Sequence, residues 1–183
     1  MLLSDEYRET LKKTHKSAGE KGWGNTANTK YFKVIDKLIE GRKVTEMLDY
    51  GAGWGGMKAR LAEERPELVV HEYEPSRDDV CHPPAPCAFV ICVDVLEHVE
   101  PEMLEDVLDD LERVIIDTGY LTIFFEKAMR ALSDGRNAHL IVKPFDWWLR
   151  KLSRRFYIRQ ARHSDHRQVG GDFLVQSRDK YPR

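Results

Sequence analysis

At 183 residues, 42% apolar and 33% charged, the chain has the size of one domain and enough apolar material to bury a core. No stretch approaches the ~18 consecutive apolar residues of a membrane-spanning helix. Its 3 cysteines, Cys81, Cys87 and Cys92, are too few and odd in number for a disulfide framework, so a reducing, cytoplasmic compartment is expected. The opening Met-Leu-Leu-Ser-Asp-Glu has no basic segment leading into an apolar run, so no secretory leader is expected. The net charge of -2 excludes a generally basic nucleic-acid binder, but the charge is uneven. Residues 127–183 hold 14 Lys and Arg against 5 Asp and Glu, whereas the rest holds 15 against 26. Such a basic third either attracts an anionic substrate through its summed field or is simply a solvated face.

Residues 1–28 are polar, with Gly19, Gly22 and Gly24 around Trp23. They read as an arm or lid ahead of a single domain over residues 29–183. Tyr31, Val34, Ile35, Leu38 and Ile39 recur at helical spacing, with Asn28 or Thr29 as N-cap and Gly41 as stop. A strand over 44–50 leads into a glycine cluster, a helix over 57–64 and a strand over 68–73. Pro83, Pro84 and Pro86 exclude a long helix from 76–87. The apolar run 88–93 has the pattern of a buried strand.

Pro101 suits the first turn of a helix whose positive end is favoured by Glu100, Glu102 and Glu105. Leu104, Val107, Leu108, Leu111, Val114 and Ile115 give that helix one apolar face. A strand over 121–125, a turn at 133–137 and a helix from Pro144 follow, the last with Phe145, Trp148, Leu149, Leu152 and Phe156 on its stripe. Strands over 156–161 and 172–176 close the chain as an antiparallel hairpin around a polar loop. Strands alternating with helices predict an α/β fold with a mainly parallel sheet and helices on both faces. Right-handed crossovers align the strand C-terminal ends along one edge, where ligands bind.

The strongest local motif is Leu48-Asp49-Tyr50-Gly51-Ala52-Gly53-Trp54-Gly55-Gly56, between a strand and a helix. Its glycines permit positive φ and close approach to bare backbone. Gly51, Gly53 and Gly56 also fit the dinucleotide fingerprint G-x-G-x-x-G. Asp49 argues against that reading, since its carboxylate would sit beside a pyrophosphate; it suits a ligand with a cationic amino group. Glu74 ends the next strand 25 positions later, where an acid takes ribose hydroxyls. A ribose, an ammonium and a carboxylate together describe S-adenosylmethionine.

Asp49-Tyr50-Gly51-Ala52-Gly53-Trp54-Gly55-Gly56 resembles the first motif of class I S-adenosylmethionine-dependent methyltransferases. Asp94-Val95-Leu96-Glu97-His98-Val99 resembles the signature after their fourth strand. The two lie in the right order, and the resemblance spans residues 31–176. It implies a Rossmann-like fold in which Gly51, Ala52 and Gly53 pass under the methionine part. It also implies that Asp49 takes the amino group, directly or through water, and that Glu74 binds the ribose. Asp94, Val95 and Leu96 would wall the cofactor near its sulfonium. The chain departs from the family at 76–87, because a crossover with its helix needs at least ~10–12 residues. The third strand is therefore expected to be missing or rudimentary, leaving about six strands. The adenine contact is left open among Asp78, Asp79 and Cys81.

Methyl transfer needs an aligned nucleophile and, for a hydroxyl or amine, a base. His98 is the first candidate base, with a loop-holding hydrogen bond as its alternative role. Glu97 and His98 are also candidate ligands of a divalent ion, but only two ligands are visible locally, so no metal is assigned. In the second cluster, Arg136 is a candidate clamp for a carboxylate or phosphate. Asn137 and His139 are candidates to orient or deprotonate the acceptor, and Trp147 to stack on it; the alternative is a capped polar turn. The 163–166 segment, with His163 and His166, reads as a solvated loop, and no C-x-x-C pair supports zinc at the cysteines and His82.

The expected function is S-adenosylmethionine-dependent methyl transfer to an O- or N-nucleophile of a small-molecule, sugar or nucleotide acceptor. The alternatives are a nucleic-acid methyltransferase using the basic third and a non-catalytic S-adenosylmethionine-binding module. A dinucleotide oxidoreductase is disfavoured by Asp49 and by the lack of a second catalytic domain.

Overall fold

The apolar run Cys87-Ala88-Phe89-Val90-Ile91-Cys92-Val93 is nearly unbroken because its strand is buried on both faces. In the computed structural model, which describes residues 2–18, 27–164 and 169–180, six strands form one sheet. They are β1 (Glu46–Tyr50), β2 (Val69–Tyr73), β3 (Cys87–Val93), β4 (Ile115–Phe124), β5 (Phe156–Ser164) and β6 (Gly170–Ser177). The order is β2-β1-β3-β4-β6-β5. The first four strands run parallel, while β6 is antiparallel to both β4 and β5. No strand forms among residues 74–86, so the predicted loss of the third strand holds.

Successive strand residues point to opposite faces, and the two cores follow that period. Leu48, Tyr50, Val90, Cys92, Leu121 and Ile123 face one side. There they meet α4 (Leu104–Val114) and α5 (Phe145–Ser153), chiefly Leu108, Leu111, Trp148 and Leu152. Met47, Phe89, Ile91, Val93 and Tyr120 face the other side. They meet Ile35 and Ile39 of α2 (Phe32–Arg42), and Met57 and Leu61 of α3 (Gly56–Glu64). Each fully buried Leu or Ile contributes roughly 1.5–3 kcal/mol over the exposed state. A separate small cluster joins Leu3, Tyr7 and Leu11 to Leu132 and Ala138. It seats an N-terminal helix, α1 (Asp5–Ala18), over the strand ends.

Several boundaries differ from expectation. A π-helical turn, Ala27–Tyr31, leads into α2, whose N-cap is Tyr31 with no side-chain cap bond. The helix runs through Gly41 and stops at Lys43, which takes the left-handed conformation at φ 54°. Pro101 opens a short 3-10 turn, and α4 starts only at Leu104. That helix passes straight into β4, so Ile115 belongs to the strand rather than to the helical face. The polar Asp117 and Thr118, followed by Gly119, disguise the start of β4. Thr118 is buried and accepts from Arg42, and Gly119 leaves room for Ile115 and Val175. Phe156 lies in β5, beyond the end of α5, and the hairpin strands take up much of the expected polar loop. No helix among the described residues is long and apolar enough to cross a membrane.

Candidate active site

The C-terminal ends of β1, β2, β3 and β4 open into one cavity of about 540 Å³. The first motif shapes its floor. Gly51, Gly53 and Gly55 take positive φ of 84°, 53° and 79°. The N–H groups of Gly51 and Ala52 both donate to the Tyr73 carbonyl, at 2.7 and 3.0 Å, which ties the glycine turn to the end of β2. A Cβ on Gly51 would lie 2.4 Å from a Val95 methyl. The two sequence motifs are therefore in contact, and both Gly51 and Val95 border the cavity.

Asp49, next to last in β1, borders the cavity, and no donor among the described residues bonds to its carboxylate. Burial, followed by the charges of Glu72 and Glu74 and partly offset by Arg77, raises its pKa to about 7. Arg77 spends its guanidinium elsewhere: it bonds Glu72 at 3.0 Å and Asp79 at 2.6 Å. The floor is thus an acidic recess that a cation would stabilise.

Glu74 also lines the cavity. Its Oε2 accepts from the Gly53 N–H at 3.0 Å, and its Oε1 accepts from the Ser76 N–H and hydroxyl at 3.0 and 2.7 Å. Three of its roughly four acceptor positions are taken, leaving about one for a ligand hydroxyl. Asp94 is held at φ 53°, a left-handed conformation that costs of order 1–3 kcal/mol for a non-glycine residue. Its N–H donates to Thr122, whose hydroxyl donates back to Asp94 Oδ1 at 2.5 Å. Burial raises the Asp94 pKa. Leu96, in contrast, is fully buried against α4 and does not border the cavity.

The opposite wall carries two histidines. His98 Nδ1 donates to the Ala138 carbonyl at 2.7 Å. Burial lowers its pKa to about 3, with His139 lowering it further and the Ala138 bond working against the shift. His98 is therefore neutral at pH 7, and its Nδ1–H makes the loop-holding hydrogen bond that was the alternative to a role as base. His139 Nδ1 donates to the Glu126 carbonyl; its ring stacks on Phe124 and meets His98 edge-on at 4.9 Å. Burial lowers its pKa too.

Three of the residues assigned to catalysis or acceptor binding lie off the cavity lining. Asn137 clamps its own loop: Oδ1 accepts from the Ala128 and His139 N–H groups, and Nδ2 donates to the Ala128 carbonyl. Arg136 is paired with Asp134 and lies over the Tyr7 ring. Trp147 sits on α5 with Lys143 and Lys151 on its ring, packed against the core side of the sheet. The adenine candidates are also committed: Asp78 pairs with Arg8 and Lys12, Asp79 pairs with Arg77, and Cys81 contacts the Asp78 carbonyl. Of the two N-terminal aromatics expected near the cofactor, Tyr31 packs with the α2 side of the core and brings its hydroxyl to Asp94 and Thr122, while Trp23 lies outside the described residues.

The roof of the cavity is α1, a helix that the motifs and the strand–helix pattern do not reveal. Tyr7, Leu11 and His15 of α1, with Leu3 just ahead of it, line the cavity at a spacing of four, the period of one helix face. That spacing is the one signal of it in the sequence. The Ser4 N–H and hydroxyl donate to Glu100 at 2.7 and 2.6 Å, and the Tyr7 hydroxyl donates to the His98 carbonyl at 2.6 Å. Arg8 donates to the Pro75 carbonyl at 2.8 Å, and the Ser133 N–H donates to Thr14 at 3.2 Å. At the mouth, Lys127, Arg130 and the fully exposed Met129 form a basic rim.

No protein-family model and no curated protein sequence matches the chain. Solved structures do. The 1,6-didemethyltoxoflavin-N1-methyltransferase of Burkholderia thailandensis, bound to 1,6-didemethyltoxoflavin and S-adenosylhomocysteine, matches with a TM-score of 0.63 at 18% identity, over 94% of this chain and 89% of that one. The N-methyltransferase NodS of Bradyrhizobium japonicum, in complex with S-adenosylhomocysteine, matches with a TM-score of 0.60 at 12% identity, over 94% and 99%. A SAM-dependent methyltransferase of Aquifex aeolicus matches with a TM-score of 0.55 at 14% identity, over 91% and 98%.

Proposed function

We propose that this chain, whose fold is that of class I S-adenosylmethionine-dependent methyltransferases, binds S-adenosylmethionine under α1 and transfers its methyl group to an oxygen or nitrogen of a small-molecule acceptor. The observation that carries the reading is Asp49, a buried carboxylate with no donor among the described residues, near the end of β1. An ammonium placed there satisfies an acid that no donor among the described residues engages.

The residues present fit the cofactor. Asp49 receives the amino group, the Gly51–Gly53 backbone lies beneath the methionine part, and Glu74 offers its remaining acceptor position to a ribose hydroxyl. Asp94 and Val95 border the space beside the reacting centre. When bound, the sulfonium supplies an activated methyl group, and the protein's task is alignment. Tyr7, Leu11 and the rest of the α1 face close the site from water. The acceptor enters past Lys127 and Arg130, which suit an anionic group, and is oriented by the His98 and His139 wall.

Part of the basic C-terminal third is paired with acids. Lys151 and Arg155 bond Glu105, Arg155 bonds Asp109, and Lys180 bonds Asp117. A small acceptor is supported by the structurally similar methyltransferase that holds 1,6-didemethyltoxoflavin. The unpaired cysteines Cys81, Cys87 and Cys92 support a cytoplasmic setting.

The deciding experiment titrates the protein with S-adenosylmethionine by calorimetry, then incubates it with methyl-labelled cofactor and a metabolite extract. Saturable binding and a labelled small product are expected. Absence of cofactor binding refutes the reading. Binding without label transfer to any acceptor would leave a cofactor-binding module in its place.

A further inference from the structure

We propose that Glu97, His98 and His139 form a site for one divalent transition-metal ion at the acceptor end of the cavity. One carboxylate oxygen and one nitrogen from each ring lie within 4.8 Å of one another. Around an ion with ~2.1 Å bonds in tetrahedral geometry, ligand atoms sit about 3.4 Å apart. From the outer limit of 4.8 Å, binding would draw each ligand atom inward by less than about an ångström.

The surroundings of the three groups favour a metal over a purely structural cluster. Both imidazoles direct Nδ1 at a backbone carbonyl, His98 at Ala138 and His139 at Glu126. A carbonyl only accepts, so Nδ1 carries the proton in each ring and Nε2 carries the lone pair. Two rings with the same tautomer fixed by backbone oxygens are the usual outer support of metal-binding histidines. Glu97 is fully buried, and its Oε1 is anchored by the Phe124 N–H at 3.0 Å. Its Oε2 is buried with no hydrogen-bond partner among the described residues. A buried acceptor left without a partner destabilises the fold, and a coordinated cation offsets that cost.

The donor set defines the ion. Two imidazoles and one carboxylate suit zinc and its divalent neighbours iron, cobalt and nickel rather than magnesium or calcium. Three protein ligands leave a coordination position open, and His98 and His139 both border the cavity. That position therefore faces the acceptor pocket proposed above. The ion would take an oxygen donor of the acceptor and lower its pKa. This consequence rests on the methyl-transfer reading; metal binding does not.

The test uses the full chain, freed of metal by a chelator and titrated without cofactor. Co²⁺ is followed by its visible absorption, Zn²⁺ by calorimetry and by thermal unfolding. One equivalent is expected to bind, with a rise in Tm. Affinity should fall at least about tenfold in Glu97→Gln and in His139→Ala. His139 is partly exposed, so His139→Ala tests the site even if Glu97→Gln does not fold. A surface control removes His71, which pairs with Glu46 on the sheet edge. No stoichiometric binding overturns the proposal, as does equal affinity in His139→Ala or a site lost in His71→Ala. A parallel S-adenosylmethionine titration of the same sample separates failure of the metal site from failure of the methyl-transfer reading.

Discussion

Asp49 offers the sharpest quantitative test, because its free and bound states must differ in protonation. In the empty protein its pKa stands at about 7. A ligand ammonium beside it favours the carboxylate and lowers that value, so below pH 7 binding must first expel a proton. At pH 5.5 roughly 3% of the empty protein carries the ionised carboxylate, against about 75% at pH 7.5, if the group titrates alone near 7. Cofactor affinity should therefore drop about 25-fold between pH 7.5 and 5.5, a range in which a ligand α-amino group stays mostly protonated. Asp49→Asn should flatten this profile. It should also weaken binding at pH 7.5 by about 10- to 150-fold, the worth of a charge-assisted bond of ~1.5–3 kcal/mol.

The same substitution has an opposite effect on folding. Asp49 goes from 3.8 in a free carboxyl to about 7 in the fold, so the native state holds a proton that the unfolded chain releases. Native stability then falls as pH rises from about 4 to 7, by on the order of 4 kcal/mol at the upper end. Asp49→Asn should recover that loss above pH 7 and give little gain near pH 4. Calorimetric titrations and denaturant melts across pH measure both effects. A variant with the parent's affinity and pH profile would refute the assignment of Asp49 to the ligand cation.

Three further outcomes follow from the same geometry. Glu74→Gln faces the Gly53 N–H with an amide that must turn a donor toward either Gly53 or Ser76, so stability should fall by about 1–3 kcal/mol and cofactor affinity with it; unchanged thermal unfolding would argue against the three-bond cradle. Gly51→Ala places a methyl 2.4 Å from Val95 at φ 84°. It should destabilise by several kcal/mol, and adding Val95→Ala should recover the clash but not the left-handed cost of about 1–2 kcal/mol; full recovery in the double variant would contradict this division. Tyr7→Phe removes the bond to the His98 carbonyl, and α1 should then open more often. Cofactor release measured by stopped flow should quicken several-fold at a cost of about 1 kcal/mol, whereas an unaltered off-rate would deny α1 a covering role.

The cofactor half of the cavity is legible in the sequence because its parts are local. Asp49 and the glycines share one strand and the turn that follows it, and Glu74 needs only the neighbouring parallel strand to bring it alongside. The proline-rich interval before β3 is too short for another crossover, so the missing strand can be counted from chain length alone. The acceptor half obeys a different logic. Tyr7 meets His98, Ser4 meets Glu100, and Thr14 meets Ser133, all across long sequence separations. No periodicity records such pairings.

Arg136, Asn137 and His139 show why a single segment can mislead. Its polar residue types suit acceptor binding and turn formation equally well. Asn137 spends its amide on the loop backbone, and Arg136 spends its charge on Asp134. Only His139 emerges on the cavity side, carried there by those two anchors. Trp147 does lie off the apolar stripe, but leaving a stripe does not fix where a ring goes: α5 lies across the sheet from α2 and α3, away from the strand-end opening. The division has a physical root. Binding a cofactor common to many enzymes uses backbone geometry that a short motif can encode, whereas recognising a particular acceptor uses side chains that only the completed fold brings together.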